Sequence, residues 1–126
     1  MAMLAFSTLL NKIKSGEKRQ TVRANASHWK KVYASGQKLH VWLGNPRTGK
    51  AEKLGIANFD RFRIMKGREM TYHDAVKDGF ESWSEFVAAL MDLNRMSYSE
   101  FMEHSWAVIE FRFEGENRQI ETEKEN

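Results

Sequence analysis

The spacing of the apolar residues switches between two periods along this chain, and the period predicts which segments form strands and which form helices. Apolar and polar residues alternate over 38–43 and again over 106–113, as they do in strands with one buried face. From Thr71 onward the apolar residues recur at helical spacing, most clearly behind Ser82. Strands, a block of helices and a last strand predict an α+β fold.

The same patterns divide the chain into short elements. The predicted strands are Met3–Phe6, Gln20–Ala24, Lys38–Leu43, Leu54–Ile64 and Trp106–Phe113. The predicted helices are Thr8–Ser15, one capped by Ser27, Tyr72–Lys77, one from Ser82 to Asp92 and one after Ser97. Thr71, Ser82 and Ser97 each have an acidic residue three positions later, which is the spacing of a capping box. A phase slip near Ala57–Asp60 indicates a bulge or a bend, as small barrels require.

Length and composition indicate one domain that is stable without disulfide bonds. The chain has 126 residues, of which 41% are hydrophobic, so it can fill a core. It has no Cys, which excludes disulfides, thiolate zinc sites and a cysteine nucleophile. The apolar run Met1–Leu10 is too short to span a membrane and lacks the layout of a signal peptide. We therefore expect a cytoplasmic protein without a membrane partner.

The net charge of +3 conceals an uneven distribution. Residues 1–66 carry 14 basic and 3 acidic side chains, a balance of +11, whereas residues 67–126 carry 6 and 14, a balance of −8. A basic half is what a polyanion such as nucleic acid would contact. Alternatively, the two halves face each other in the fold. The sequence leaves both interpretations open.

The segment Ser15–Arg23, SGEKRQTVR, brings three chemically useful side chains together. A glycine turn precedes Lys18, and Thr21 and Arg23 fall on one side of an extended chain because side chains alternate. An ammonium, a hydroxyl and a guanidinium can hold a phosphate, or they can form a nucleophile with its activator. They can also be an ordinary solvated surface.

This segment and three later ones resemble the motifs of the ASCH domain family, a branch of the PUA-like superfamily. Its opening pattern is G-x-K-x-x-T-x-R, which Gly16–Arg23 matches. Gly36–Trp42, Asp78–Phe86 and Trp106–Phe111 resemble the later motifs, in the family's order. The resemblance covers about residues 3–113, and it leaves 114–126 as a charged tail that we expect to be disordered.

The resemblance implies a small PUA-like β-barrel of about five to six strands with flanking short helices. It also implies a cleft that opens on the Lys-Thr-Arg segment. The family is linked to RNA and modified nucleosides, and some small members are amidohydrolases that act on N4-acetylcytidine. By that resemblance, Lys18 and Thr21 are catalytic. The catalytic carboxylate is either Asp78, which has the family's position, or Glu81, which has the family's side chain.

Aromatic residues near lysines suggest where a base could stack. Trp29 is followed by Lys30 and Lys31, and Trp42 points away from the main apolar side of its strand. With Arg23, these four residues are candidate contacts for RNA or a nucleoside. The alternative for Trp29 is burial in the core.

No motif indicates a metal or a cofactor. The four His residues share no metal-ligand spacing, and there is no glycine-rich phosphate loop. Three hypotheses therefore remain open: an amidohydrolase with a Lys-Thr-carboxylate site, a non-catalytic RNA- or nucleotide-binding module, and a ribonuclease that uses the same basic cleft. The sequence does not indicate an oligomeric state.

Overall fold

A computed structural model describes residues 2–6, 12, 15–44 and 51–116. The strands are β1 (Ala2–Phe6), β2 (Gln20–Arg23), β3 (Leu39–Leu43), β4 (Glu52–Lys66) and β5 (Ser105–Glu116). The helices are α1 (Ala26–Ala34), α2 (Tyr72–Lys77), α3 (Trp83–Asn94) and α4 (Tyr98–Glu103), with a 3₁₀ turn at Gly67–Glu69. The predicted α+β class, five to six strands and short flanking helices are confirmed.

The five strands form one curled sheet in the order β1-β3-β4-β5-β2. β1 pairs with β3 in parallel, and the other three pairings are antiparallel. β1 and β2 are therefore at opposite edges, yet Arg23 Nη2 on β2 donates to the Ala5 carbonyl on β1 at 2.8 Å. This contact requires the sheet to curl until its two edges approach, as in half of a barrel.

The curl has a local cause in β4. The pairing of β4 with β5 shifts register between Ile56 and Ala57 and again between Phe59 and Arg61. Such bulges increase the twist and bend of a strand. The predicted phase slip near Ala57–Asp60 is confirmed.

Each face of the sheet carries its own core. On the α1 face, Trp29 and Val32 of α1 pack on buried strand residues that include Leu4, Val41 and Ile109. On the α3 face, the helices α2, α3 and α4 pack on Val22, Trp106 and Val108. Because successive residues of a strand point to opposite faces, β5 supplies both cores in alternation.

The capping residues set the helix boundaries largely as predicted. Ser82 and Ser97 accept from the backbone N–H groups of Glu85 and Glu100, and Thr71 begins α2. The prediction of Ser27 as a cap is wrong. Asn25 caps α1 instead, because its side chain accepts from the His28 N–H at 3.2 Å.

Three predictions fall wholly or partly outside the described residues. The helix Thr8–Ser15 contains only two of them, Lys12 and Ser15. The loop between β3 and β4 is described only at its ends. β5 continues to Glu116, beyond the predicted end at Phe113, and the expected tail stays a prediction for residues 117–126.

None of the helices in the described ranges is both long enough and apolar enough to cross a membrane.

Candidate functional site

β2 lies at a sheet edge and presents the polar side chains of the motif. Thr21 pairs with Ile109 and Arg23 with Ala107, so both point to the α1 face, as the alternation predicts. The Arg23 Nε–H donates to Thr21 Oγ1 at 3.2 Å. Since Nη2 of the same guanidinium donates to the Ala5 carbonyl, Arg23 is held rigidly beside the Thr21 hydroxyl.

Lys18 is buried just before β2, with 4% of its surface exposed. Its ammonium forms an ion pair with Asp78 Oδ1 and donates to the Asp78 carbonyl at 2.8 Å and to the Gln20 carbonyl at 3.3 Å. Three oxygen acceptors match the three N–H bonds of a charged lysine. The described contacts therefore hold Lys18 in one position.

Asp78 reaches this position because α2 ends there. Its backbone N–H donates to the Asp74 carbonyl at 3.1 Å, and the next residue, Gly79, has a φ of 91°. A glycine in this left-handed conformation stops the helix without strain. The turn directs Asp78 inward, and only 4% of its surface is exposed.

Burial makes both charges of this pair unfavourable. It raises the pKa of the Asp78 carboxyl to about 6, with a further contribution from the charge of Asp74, although Lys18 and Arg23 oppose the rise. Burial also lowers the pKa of the Lys18 amine, against the attraction of Asp78. A proton can therefore move from the lysine to the carboxylate at a smaller free-energy cost than between the same groups in water.

The ring of Phe6 lies under both cations. Lys18 Nζ and Arg23 Cζ are each 5.2 Å from the centre of this ring, within the range of a cation–π interaction. Phe6 in turn packs on Phe111 of β5 at 5.9 Å between ring centres. The core of the α1 face thus extends directly to the polar groups of the site.

These groups share a cleft of about 550 Å³ between the two sheet edges and α3. Lys18, Thr21, Arg23 and Asp78 form its polar part, and Asn94 adds an amide from the end of α3. Its apolar lining includes Phe6, Val22, Phe80, Ala89, Leu90 and Leu93. Leu93 is 75% exposed, so it lies at the mouth of the cleft. The volume suits a ligand of nucleoside size.

A larger, shallower groove of about 760 Å³ follows α3 and α4 on the outside of the molecule. Trp83, Met91 and Met96 line it, and Asp92 and Arg95 are the charged residues among its described lining. The polar side chains of that described lining are exposed, so none offers a buried group on which chemistry could act. We therefore assign the candidate site to the smaller cleft.

Of the two candidate carboxylates, only Asp78 is in the cleft. Glu81 is exposed and does not line it. Its backbone carbonyl accepts from the Tyr72 hydroxyl at 3.5 Å. The contact with Lys18 therefore favours Asp78 as the carboxylate of the site, although Asp is one methylene shorter than the Glu of the family that the sequence resembles.

The candidate base-stacking residues lie elsewhere. Trp29 is buried in the core of the α1 face, so its ring is covered. Lys30 and Lys31 are exposed on α1 and do not line the cleft. Trp42 is half-buried on β3, and its indole N–H has no hydrogen-bond partner among the described residues. A role for these four in binding RNA stays a prediction, and Trp29 offers no free face for it.

The sequence patterns did not single out several residues of the cleft, among them Phe6, Leu90 and Asn94. Phe6 comes from β1, just before the motif, whereas Leu90 and Asn94 come from α3, far along the chain from it. Their apolar or amide side chains carry no spacing signal that separates them from ordinary core and cap residues.

Within the described ranges, no three or more His, Asp or Glu side chains are grouped closely enough to hold a metal ion. The expectation of a site without metal or cofactor stays a prediction.

The fold and the cleft define a class: a small α+β protein with a curled half-barrel sheet and a polar cleft at the gap between its edges. Among solved structures, a crystal structure of a DUF984 protein from Enterococcus faecalis is similar. The TM-score is 0.54 at 15% identity, over 84% of this chain and 69% of that chain. This likeness shows the fold alone. No family model and no curated protein matches the sequence.

Proposed function

We propose that this protein is an amidohydrolase that removes the acyl group from the exocyclic amine of a modified nucleoside such as N4-acetylcytidine. The observation that supports this most is the buried ion pair of Lys18 and Asp78, which shares a cleft with the Thr21 hydroxyl. Buried pairs of this kind add little to stability compared with apolar residues of the same volume. A lysine with a lowered pKa is the activator that a threonine nucleophile needs.

The first step is a proton transfer within the pair. When the substrate displaces water from the cleft, one proton moves from the Lys18 ammonium to the Asp78 carboxylate. The amine and the acid that result are both neutral. The lowered pKa of Lys18 and the raised pKa of Asp78 favour this redistribution.

The second step forms an acyl-enzyme. The Lys18 amine takes the proton of Thr21 Oγ1 while this oxygen attacks the amide carbonyl carbon. The Asp78 acid protonates the leaving nitrogen as the C–N bond breaks, so the amine leaves as a neutral product. The Arg23 Nε–H, 3.2 Å from Thr21 Oγ1, stabilises the charge that develops near that oxygen.

Water completes the cycle. The Asp78 carboxylate takes a proton from the water that attacks the ester, and the Lys18 ammonium returns a proton to Thr21 Oγ1 as the ester breaks. The carboxylic acid leaves, and a proton passes back from Asp78 to Lys18. Each group thus ends in its starting state.

Release of cytidine from N4-acetylcytidine tests this proposal. We expect turnover by the wild type, and losses of at least about a hundredfold in kcat for Thr21→Ala, Lys18→Met and Asp78→Asn. Thr21→Ser keeps a hydroxyl and should retain part of the activity. Lys38→Met, an exposed lysine paired with Glu114, and Glu81→Gln are the matched controls and should leave kcat within about twofold.

Two results would contradict the proposal. One is a wild type that folds and releases no cytidine. The other is a Lys18→Met variant that folds and keeps full turnover. If the folded wild type instead retains short RNA at low salt and releases it at high salt, the binding module becomes the better hypothesis, and cleavage of that RNA would favour the ribonuclease.

A further inference from the structure

A second polar network lies behind the site, on the opposite face of β2. Gln20 pairs with Glu110 and points to the α3 face, away from Thr21. It is fully buried, and its amide contacts Asp74 and Arg63. The proposed reaction does not use this network, and no motif in the sequence indicates it.

Gln20 connects β2 to the helix that carries Asp78. Its Nε2 donates to Asp74 Oδ1 at 3.2 Å and to the Asp74 carbonyl at 3.3 Å. That carbonyl also accepts from the backbone N–H of Asp78 at 3.1 Å. The Asp74 carbonyl oxygen therefore accepts two hydrogen bonds, one from the Gln20 side-chain amide and one from the backbone N–H of Asp78, which ends the helix.

Asp74 is held from several directions. Its Oδ2 accepts from the Thr71 N–H at 2.8 Å, and Arg63 Nη2 lies 3.4 Å from its Oδ1. Arg63 also pairs with Glu110, which contacts Lys77 at 3.3 Å. The network joins α2 to β2, β4 and β5 with two cations and two carboxylates, so their charges balance.

The backbone joins the same two elements. The Arg19 N–H donates to the Lys77 carbonyl at 2.9 Å. The segment before β2 and the last turn of α2 are thus connected by Lys18 and Asp78 on the cleft side, by this backbone bond, and by Gln20 and Asp74 on the opposite side.

We propose that Gln20 and Asp74 are positioning residues, which hold the end of α2 against β2 so that the Asp78 carboxyl meets the Lys18 amine. Their effect on turnover rests on the proposed function, whereas their effect on the titration of Asp78 does not. A displacement of about 1 Å in a catalytic group can lower a rate about a hundredfold.

The charged groups around Asp78 predict the direction in which its titration midpoint moves when one of them is removed. The cations Lys18 and Arg23 lie on the cleft side of Asp78, and the Asp74 carboxylate lies one turn earlier in α2 on the opposite side. Lys12 donates to the neighbouring Gly79 carbonyl at 2.6 Å. Asp74→Asn removes the one negative charge among these. The Asp78 carboxyl should then ionise at lower pH than in the wild type.

The experiment is an NMR titration of the ¹³C-labelled Asp78 carboxyl in the full chain, with kcat and KM for N4-acetylcytidine beside it. Asp74→Asn should move the titration midpoint of Asp78 to lower pH. Gln20→Met keeps the length but removes three hydrogen bonds, and it should lower kcat about tenfold or more and leave KM within about twofold. It should also move the Asp78 midpoint to higher pH, because a displaced carboxyl loses the stabilising charge of Lys18. Thermal unfolding establishes that each variant is folded.

Two controls separate positioning from general damage. Thr71→Ala removes a capping hydroxyl of α2 without changing the charge of Asp74, and Glu110→Gln removes a carboxylate of the network that does not contact Asp74 or Asp78. Both should leave the Asp78 midpoint as in the wild type.

The outcomes separate the two proposals. If Gln20→Met, or Gln20→Leu where the first variant does not fold, leaves both the Asp78 midpoint and kcat at wild-type values, the positioning role is wrong. If Gln20→Met moves the midpoint to higher pH while the wild type hydrolyses no amide, the positioning role stands and the proposed function fails.

Discussion

At the scale of single residues, the buried pair of Lys18 and Asp78 makes the fold less stable than a buried apolar pair would. Lys18 and Asp78 are both almost fully buried, and burial disfavours the charge on each. An apolar pair of the same volume would fill the space without that cost. Active sites commonly show this trade-off between stability and function.

The double variant Lys18→Met, Asp78→Val, which makes both side chains apolar, should therefore be more stable than the wild type at pH 7, by about 1–4 kcal/mol. Lys18→Met alone should be about 3 kcal/mol less stable than the double variant, because it leaves the Asp78 carboxyl buried without its partner. Urea unfolding of the three proteins measures both differences. Equal stabilities for the single and the double variant would show that the two side chains are not coupled.

The raised pKa of Asp78 predicts how stability depends on pH. Its ordinary value is 3.8 and the fold raises it to about 6, so between these values the folded protein binds more protons at this group than the unfolded chain does. The contribution of Asp78 to the free energy of unfolding is then largest below about pH 4 and decreases as the pH rises to about 6. The full change is about 3 kcal/mol.

Asp78→Asn removes this titration and serves as the reference. The stability of the wild type relative to the variant should decrease from pH 4 to pH 6 and then level off. A relative stability that increases over the same range would mean that the fold lowers the pKa of Asp78.

At the scale of elements, the fold depends on where the helices meet the strands. The 3₁₀ turn at Gly67–Glu69 packs directly on α4. A Cβ on Gly67 would lie 2.1 Å from the backbone oxygen of Phe101, which also accepts from the Trp106 indole at 3.1 Å. Glycine is needed at this position because of the close approach of α4.

Gly67→Ala should therefore destabilise the fold by about 2–3 kcal/mol, since α4 or the turn must move and the Trp106 hydrogen bond is strained. Gly36→Ala is the control: it has a φ of 73° but open space around it, and should cost about 1–2 kcal/mol through backbone strain alone. Thermal or urea unfolding distinguishes them. A Gly67→Ala variant as stable as the wild type would contradict the packing of α4 on this turn.

At the scale of the whole molecule, the two oppositely charged halves of the sequence contact each other. Among the described residues, the ion pairs that join residues 1–66 to residues 67–126 include Lys18–Asp78, Lys38–Glu114, Arg63–Asp74, Arg63–Glu110, Lys66–Glu103 and Asp60–Arg112. The uneven charge of the sequence is thus partly neutralised in the fold. Of the two cations among the described residues of the cleft, Lys18 is paired with Asp78.

This neutralisation predicts weak binding to a polyanion. For a short single-stranded RNA, the slope of log K against log salt should be no steeper than about −2, because each neutralised phosphate of a single strand contributes about −0.7. Fluorescence anisotropy between low and physiological salt measures the slope. A slope near −4 or steeper would indicate an extended basic surface and would favour the binding module over the amidohydrolase.

The local features of this protein were determined by the sequence itself. Alternation predicted the strands, capping residues predicted where α2, α3 and α4 begin, and a phase slip predicted the bulges of β4. These features depend on interactions within a few residues, such as a serine side chain that accepts from an N–H three positions later. For the same reason Thr21 and Arg23 could be placed on one side of β2.

The composition of the site was decided by the tertiary structure. The curl of the sheet brings the Ala5 carbonyl to Arg23, and the end of α2 brings Asp78 to Lys18, sixty positions away. Contacts at such separations depend on how whole elements pack, which no local pattern encodes. Glu81 and Trp29 are examples: their residue types suit a site, but the connection between α2 and α3 leaves Glu81 exposed and the core of the α1 face buries Trp29.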